Sequence, residues 1–139
     1  MTLSIRNQLP GTVTEVHPGE VMATVKVRLT GGQVLTAAIT LEAVEHLGLA
    51  PGSSVSALVK STEVSLATSR IEGLSIRNQL PGTVIRLTLG EAMATVKVSV
   101  AGGELTAAIT KDAAGDLGLF VGSDVVALIK STEVSLATA

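Results

Sequence analysis

Ser4-Ile5-Arg6-Asn7-Gln8-Leu9-Pro10-Gly11-Thr12-Val13 returns without change as Ser75 to Val84, and much of the chain repeats in the same way. Met22 to Val27 returns as Met93 to Val98, Leu35 to Thr40 as Leu105 to Thr110, and Lys60 to Thr68 as Lys130 to Thr138. The offset is 71 residues at Ser75 and 70 at Leu105. One residue is lost at the turn around Gly102-Gly103, where a duplicated fold tolerates a deletion best. The 139 residues therefore read as two modules, 1–69 and 73–139, with 70–72 as a short linker. The join Ser69-Arg70-Ile71-Glu72-Gly73 is not rich in Gly and Ser, and it does not read as a long flexible tether.

Within a module the dominant period is two. Val21, Ala23, Val25, Val27 and Leu29 fall on one face, and Met22, Thr24, Lys26 and Arg28 on the other, as in a half-buried strand. Gly11 to Val16 and Val34 to Ile39 read as strands on either side of it. The turns between them are His17-Pro18-Gly19-Glu20 and Thr30-Gly31-Gly32. The period then changes: Leu41, Val44 and Leu47 have helical spacing. Thr40 is placed as an N-cap, Glu42 sits in the first turn, and Gly48 marks the stop. Ser54 to Lys60 and Val64 to Thr68 supply two last strands. The order β-β-β-α-β-β, repeated with Thr110 as the second N-cap, predicts a mainly β protein. It would consist of two tandem OB-fold-like small β-barrels, each with one short helix.

Composition removes whole classes of function. The chain is 46% hydrophobic and 16% charged, which suits packed cores rather than disorder. Modules this small sit near the lower limit of independent stability, and with no cysteine there is no disulfide to help. Packing of the modules on each other and assembly of several chains are expected in its place. The net charge of −2, no Trp or Tyr and one Phe (Phe120) argue against nucleic-acid binding, which uses basic faces and stacking aromatics. No run approaches the roughly 18 apolar residues of a bilayer span, and Met1 to Pro10 has no apolar core after a basic start. No membrane role is expected, and the cytoplasm is the expected location.

Catalytic residues are not apparent. His17 and His46 have no counterpart in the second copy, no G-x-S-x-G elbow or Walker-type loop occurs, and Glu63 and Glu133 give one carboxylate per module. Clustered metal ligands are also lacking, so no metal bound directly by the protein and no cofactor are expected. What remains is a duplicated set of hydrogen-bond donors. Ser4 and Arg6 share a face if their segment is extended, with Asn7 beside them. Thr40 caps a helix, where free backbone N–H groups attract anions, and Lys60 and Ser61 end a strand. Ser75, Arg77, Asn78, Thr110, Lys130 and Ser131 repeat the set. An Arg fork, a Lys point charge and neutral hydroxyls suit a small dianion. Charge-assisted hydrogen bonds contribute about 1.5–3 kcal/mol each, and four or five can reach the ~8 kcal/mol of micromolar binding. Each residue also has a plain structural role open to it, as an ion-pair partner, a cap or a solvated strand end, and duplication alone does not separate the two.

Ser4-Ile5-Arg6-Asn7-Gln8-Leu9-Pro10-Gly11, Ala38-Ile39-Thr40 and Lys60-Ser61-Thr62-Glu63-Val64, with their copies, resemble the molbindin family, whose Mop modules are also called TOBE domains. The resemblance covers both halves. It implies molybdate as the ligand, with tungstate as its near equivalent, held for intracellular storage and homeostasis by a cytoplasmic homotrimer. Sites would lie between modules of neighbouring chains. Carried over by position, oxyanion-binding residues would be Ser4, Arg6, Thr40, Lys60 and Ser61, then Ser75, Arg77, Thr110, Lys130 and Ser131. Asn7 and Asn78 would shape the site. Backbone at Gly19 to Met22 and Gly90 to Met93 would serve anions on a threefold axis. This sequence departs from the family pattern with Ile5 and Ile76, where Ala is common, and with Ala43 and Ala113, where some relatives carry a hydroxyl. An alternative role on the same fold is an oxyanion-sensing module for a protein partner.

Overall fold

The computed structural model describes residues 2–138. The first half contains β1 (Asn7–Pro18), β2 (Met22–Leu29), β3 (Val34–Thr40), helix α1 (Leu41–Leu47), β4 (Ser54–Val59) and, after a 3₁₀ turn at Ser61–Glu63, β5 (Ser65–Ala67). The second half repeats this as β6 (Asn78–Leu89), β7 (Met93–Val100), β8 (Gly103–Thr110), α2 (Lys111–Asp116), β9 (Asp124–Ile129), a 3₁₀ turn at Ser131–Glu133 and β10 (Ser135–Thr138). The helix signals behave as expected. Thr40 Oγ1 accepts from the Ala43 N–H at 3.1 Å, Thr110 Oγ1 does the same for Ala113, and Gly48 ends α1 at a φ of 63°.

β1 and β6 are longer than the sequence pattern suggests, starting at Asn7 and Asn78 instead of at the glycines. Pro10, ahead of the expected start at Gly11, lies inside the strand. From Asn7 to Pro10, β1 pairs only with β4, so the missing proline N–H faces an open edge. At Gly11 the strand meets β2 so closely that a Cβ would lie 2.6 Å from Val27 Cγ1 and 2.7 Å from Arg28 O. Only glycine fits there.

The alternation in β2 is realised as expected from Ala23 onward: Ala23, Val25, Val27 and Leu29 are buried and the intervening residues exposed. With Val13, Leu35, Val55, Val59 and Val64, and the matching residues of the second half, they form one continuous core.

Two curled five-stranded sheets result, of OB-like form, and each is built from both halves. One has the order β10-β4-β1-β2-β3, the other β5-β9-β6-β7-β8. Sequence order alone suggests that β5 closes its own module. Instead Ser65, Leu66 and Ala67 pair with Leu128, Ala127 and Val126, and Ser135 to Thr138 pair with Leu58 to Val55. β4 and β9 are near copies, Val55-Ser56-Ala57-Leu58-Val59 against Val125-Val126-Ala127-Leu128-Ile129, so either last strand meets an almost equivalent partner. The local pattern defines the faces of β5 without choosing its neighbour.

A second exchange reinforces the first. β3 and β8 are sheet edges, and each is covered by the other half. Asn7 Nδ2 donates to Thr106 O and the Thr106 N–H donates to Asn7 Oδ1, both at 2.8 Å. Asn78 forms the same pair with Thr36, again at 2.8 Å. The carboxamide thus imitates one residue of an added strand, and both asparagines are buried, at 2% and 3% exposure. The linker is held too: Gln79 accepts from the Ile71 N–H at 3.0 Å and donates to Ile71 O at 2.9 Å.

Removing one asparagine leaves a peptide N–H and C=O of the opposite edge without partners. Asn7→Ala is expected to lower unfolding stability by about 2–4 kcal/mol. Asn7→Asp should do no better, because a buried carboxylate would face the Thr106 carbonyl. Urea unfolding of both variants checks this. A loss below about 0.5 kcal/mol for either would mean that the edge is not held by the carboxamide.

Candidate oxyanion-binding site

The chain crosses from one sheet to the other at Lys60–Glu63 and again at Lys130–Glu133. At the first crossing β4 ends and Lys60 caps the 3₁₀ turn in an extended conformation (φ −66°, ψ 141°), so its side chain is not drawn into the sheet. The turn packs against β8 of the other half, and Val64, just beyond it, is buried in the core. The N-terminal segment arrives at the same place because Asn7 pairs with Val59 at the end of β4, while its side chain is clamped on Thr106. Ser4, Ile5, Arg6, Lys60, Ser61 and Thr62 line a concavity of about 240 Å³. At the second crossing Ser75, Ile76, Lys130, Ser131 and Thr132 line one of about 260 Å³.

Both pockets are donor-rich, and among the described residues no carboxylate lines either one. In the first, Arg6 and Lys60 are exposed at the rim and Ser61 is half-buried. Ser61 Oγ is shielded from solvent and makes no hydrogen bond among the described residues. An unpaired buried hydroxyl costs about 1–3 kcal/mol, so its retention needs a reason. A ligand oxygen in the pocket would supply one.

The structure sorts the sequence-derived candidates. Ser4, Arg6, Lys60 and Ser61 come together in one pocket, and Ser75, Lys130 and Ser131 in the other. Arg77 does not line the second pocket as Arg6 lines the first. Asn7 and Asn78 lie behind the pockets, with both polar atoms of each bonded to the opposite sheet edge, and so position the donor segments. Thr40 and Thr110 line neither pocket within one chain. They are exposed helix caps opposite Met22 and Met93 in the β ladders. Thr62 and Thr132, inside the repeated Lys-Ser-Thr-Glu segment, add hydroxyls that the sequence reading passes over. A larger concavity of about 600 Å³ at Pro81, Gly82, Ser99 and Asp124 contains no cation and does not suit an anion. Among the described residues, no group of three or more His, Asp or Glu is placed to hold a metal ion. Nor is any helix there long and apolar enough to cross a membrane.

These features define a strand-exchanged pair of OB-like barrels with a cation-bearing pocket at each crossing. The sequence matches the TOBE domain at residues 3–66 and again at 74–136, and the chain belongs to that family. It is 43% identical over 136 residues to the molybdenum-pterin-binding protein MopB of Rhodobacter capsulatus, covering 96% of this chain and 50% of MopB. It is 36% identical over 137 residues to the transcriptional regulator ModE of Yersinia pestis, covering 97% of this chain and 52% of ModE. The chain thus spans about half the length of these relatives. The crystal structure of the cytoplasmic molybdate-binding protein ModG, with molybdate bound, superposes with a TM-score of 0.96 at 41% identity, over 100% of both chains.

Since Ser61 Oγ has no protein partner, Ser61→Ala is expected to leave unfolding stability unchanged or raise it by up to about 1 kcal/mol. Chemical denaturation of the ligand-free protein measures this. A loss above about 1 kcal/mol would show that the hydroxyl serves the fold.

Proposed function

We propose that this protein binds molybdate, and tungstate as its near equivalent, for intracellular molybdenum storage and homeostasis in the cytoplasm. The observation that carries this reading is the convergence of Ser4, Arg6, Lys60 and Ser61 on one pocket without a carboxylate, with the Ser61 hydroxyl unpaired. One guanidinium and one ammonium balance a dianion, and the neutral hydroxyls fix its orientation. A tetrahedral oxyanion held this way undergoes no reaction, so the protein acts as a binder and not as an enzyme. Sulfate carries the same charge on a smaller ion and is discriminated by donors held at fixed positions. The likeness to molybdate-bound ModG supports the same ligand class.

The assembly we propose is a homotrimer whose sites are completed between subunits. Val21 is 72% exposed and Met22 44%, and Met93, the copy of Met22, is exposed in the second half. These apolar residues flank the Thr40 and Thr110 caps. A neighbouring subunit that covers them brings each threonine toward a Ser-x-Arg pocket, and backbone near Gly19–Met22 and Gly90–Met93 toward the symmetry axis. The residues assigned to the anion are therefore Ser4, Arg6, Thr40, Lys60 and Ser61, with Ser75, Arg77, Thr110, Lys130 and Ser131 in the second half. Asn7 and Asn78 shape the pockets. The similarity to about half of ModE supports a second reading, in which the same fold senses oxyanion for a protein partner.

Calorimetric titration with molybdate, sulfate and phosphate, with the assembly mass read by light scattering, tests the proposal. Tight binding of molybdate by a trimer is expected, with sulfate excluded. Arg6→Ala should weaken it more than tenfold with the mass unchanged. Equal affinity in the variant would make Arg6 structural. No molybdate heat from the folded protein would favour the partner-sensing reading.

A further inference from the structure

The outer face of β6, β7 and β8 holds another cationic concavity, lined by residues of neither crossing. Arg86, Thr88, Thr95, Lys97 and Thr106 line about 230 Å³ there. The β ladders place them in two adjacent rows. Arg86 lies opposite Lys97, which lies opposite Thr106, and Thr88 lies opposite Thr95. Two like charges directly opposite each other weaken an antiparallel pair. The ladder shifts register between Val84 and Arg86, and this shift sets Arg86 against Lys97.

The first half shows what the same place looks like when it is neutralised. There Glu15, His17, Thr24, Lys26 and Thr36 occupy the equivalent positions. His17 Nε2 is 2.9 Å from Glu15 Oε2 and Lys26 Nζ 3.8 Å from the same oxygen. The hydrogen bond from His17, and next the charge of Lys26, hold the Glu15 carboxyl below its usual range. In the second half Glu15 and His17 are replaced by Arg86 and Thr88. Among the described residues, the one carboxylate paired to this face is Glu104, 3.9 Å from Lys97, and Arg86 has no acidic partner. In place of Glu15 and His17 the second half carries a second cation and a third hydroxyl.

We propose that this face is a further anion site, present once per chain, that takes a tetrahedral dianion between Arg86 and Lys97. The hydroxyls of Thr88, Thr95 and Thr106 complete the donor set. Molybdate and inorganic phosphate share the required chemistry, and both charge and hydroxyl geometry are already in place on a rigid sheet. Bound anion removes the repulsion between the opposed cations. The site stands on its own residues, so it does not depend on the reading of the Lys60 and Lys130 pockets. It is nonetheless close to them in the fold, because the peptide of Thr106 is the group that the Asn7 carboxamide holds.

The test is a titration of the full chain at low salt and pH 8, with molybdate in one arm and inorganic phosphate in the other, read by amide NMR. Saturable shifts at Thr88, Thr95 and Thr106 are expected with at least one anion, and the arm that produces them identifies the source. Arg86→Glu places a carboxylate opposite Lys97 as Glu15 lies opposite Lys26, in addition to Glu104, and the fold is preserved. It should weaken these shifts at least tenfold while leaving those of Ser4 and Arg6 unaltered. The double variant Glu15→Arg with His17→Thr should create the same response at Thr24 and Thr36. Absence of saturable shifts in the unmodified protein with both anions, or equal affinity in Arg86→Glu, would overturn the proposal.

Discussion

Two carboxamides on two bare strand edges hold this molecule together. β3 and β8 end their sheets with peptide groups that face no further strand, and Asn78 and Asn7 satisfy one residue of each. A hydrogen bond of this kind contributes about 0.5–1.5 kcal/mol net, but an unmet buried peptide group costs more than that. The asparagines are therefore strict in their requirements although modest in their gain. Since each reaches across to the opposite half, neither sheet is complete without the other. The exchanged strands β5 and β10 impose the same dependence through backbone pairing.

The pockets follow from this arrangement. A chain that leaves one sheet and enters another must pass a turn, and here that turn is Lys60–Glu63 or Lys130–Glu133. The clamp that fixes Asn7 also fixes Arg6 and Ser4 at the same turn. Donors that would be mobile on a free N-terminal segment become ordered at no further entropic cost. The pocket is made at the seam of the exchange, where backbone regularity breaks and side chains face outward.

The two halves share a fold but not a surface. Core positions are nearly identical, because Val25, Val27 and Leu35 and their copies fill equivalent space. Outer-face positions have drifted: Glu15 and His17 have become Arg86 and Thr88 on the same ladder. A strand tolerates such change on its solvent side at little cost, and that is where duplicated modules can acquire different charge.

Much of this was legible in the residues. The period-two run from Ala23 to Leu29, the Thr40 and Thr110 caps and Gly48 depend on local chemistry, and they appear in the structure where the pattern places them. Thr62 escaped because nothing in its spacing separates a pocket hydroxyl from a turn residue. The early start of β1 escaped because the pairing of Asn7 to Pro10 with β4 depends on residues distant in the chain. Local chemistry along the chain sets the elements, most of their buried faces and the duplicated donor set. Only the tertiary structure decided which sheet each last strand joins, since β4 and β9 offer it equivalent partners. Arg6 meets Lys60 because the β1–β4 ladder pairs Asn7 with Val59, while Thr40, paired with Met22, stays apart: residues distant in the chain meet only once the strands have paired.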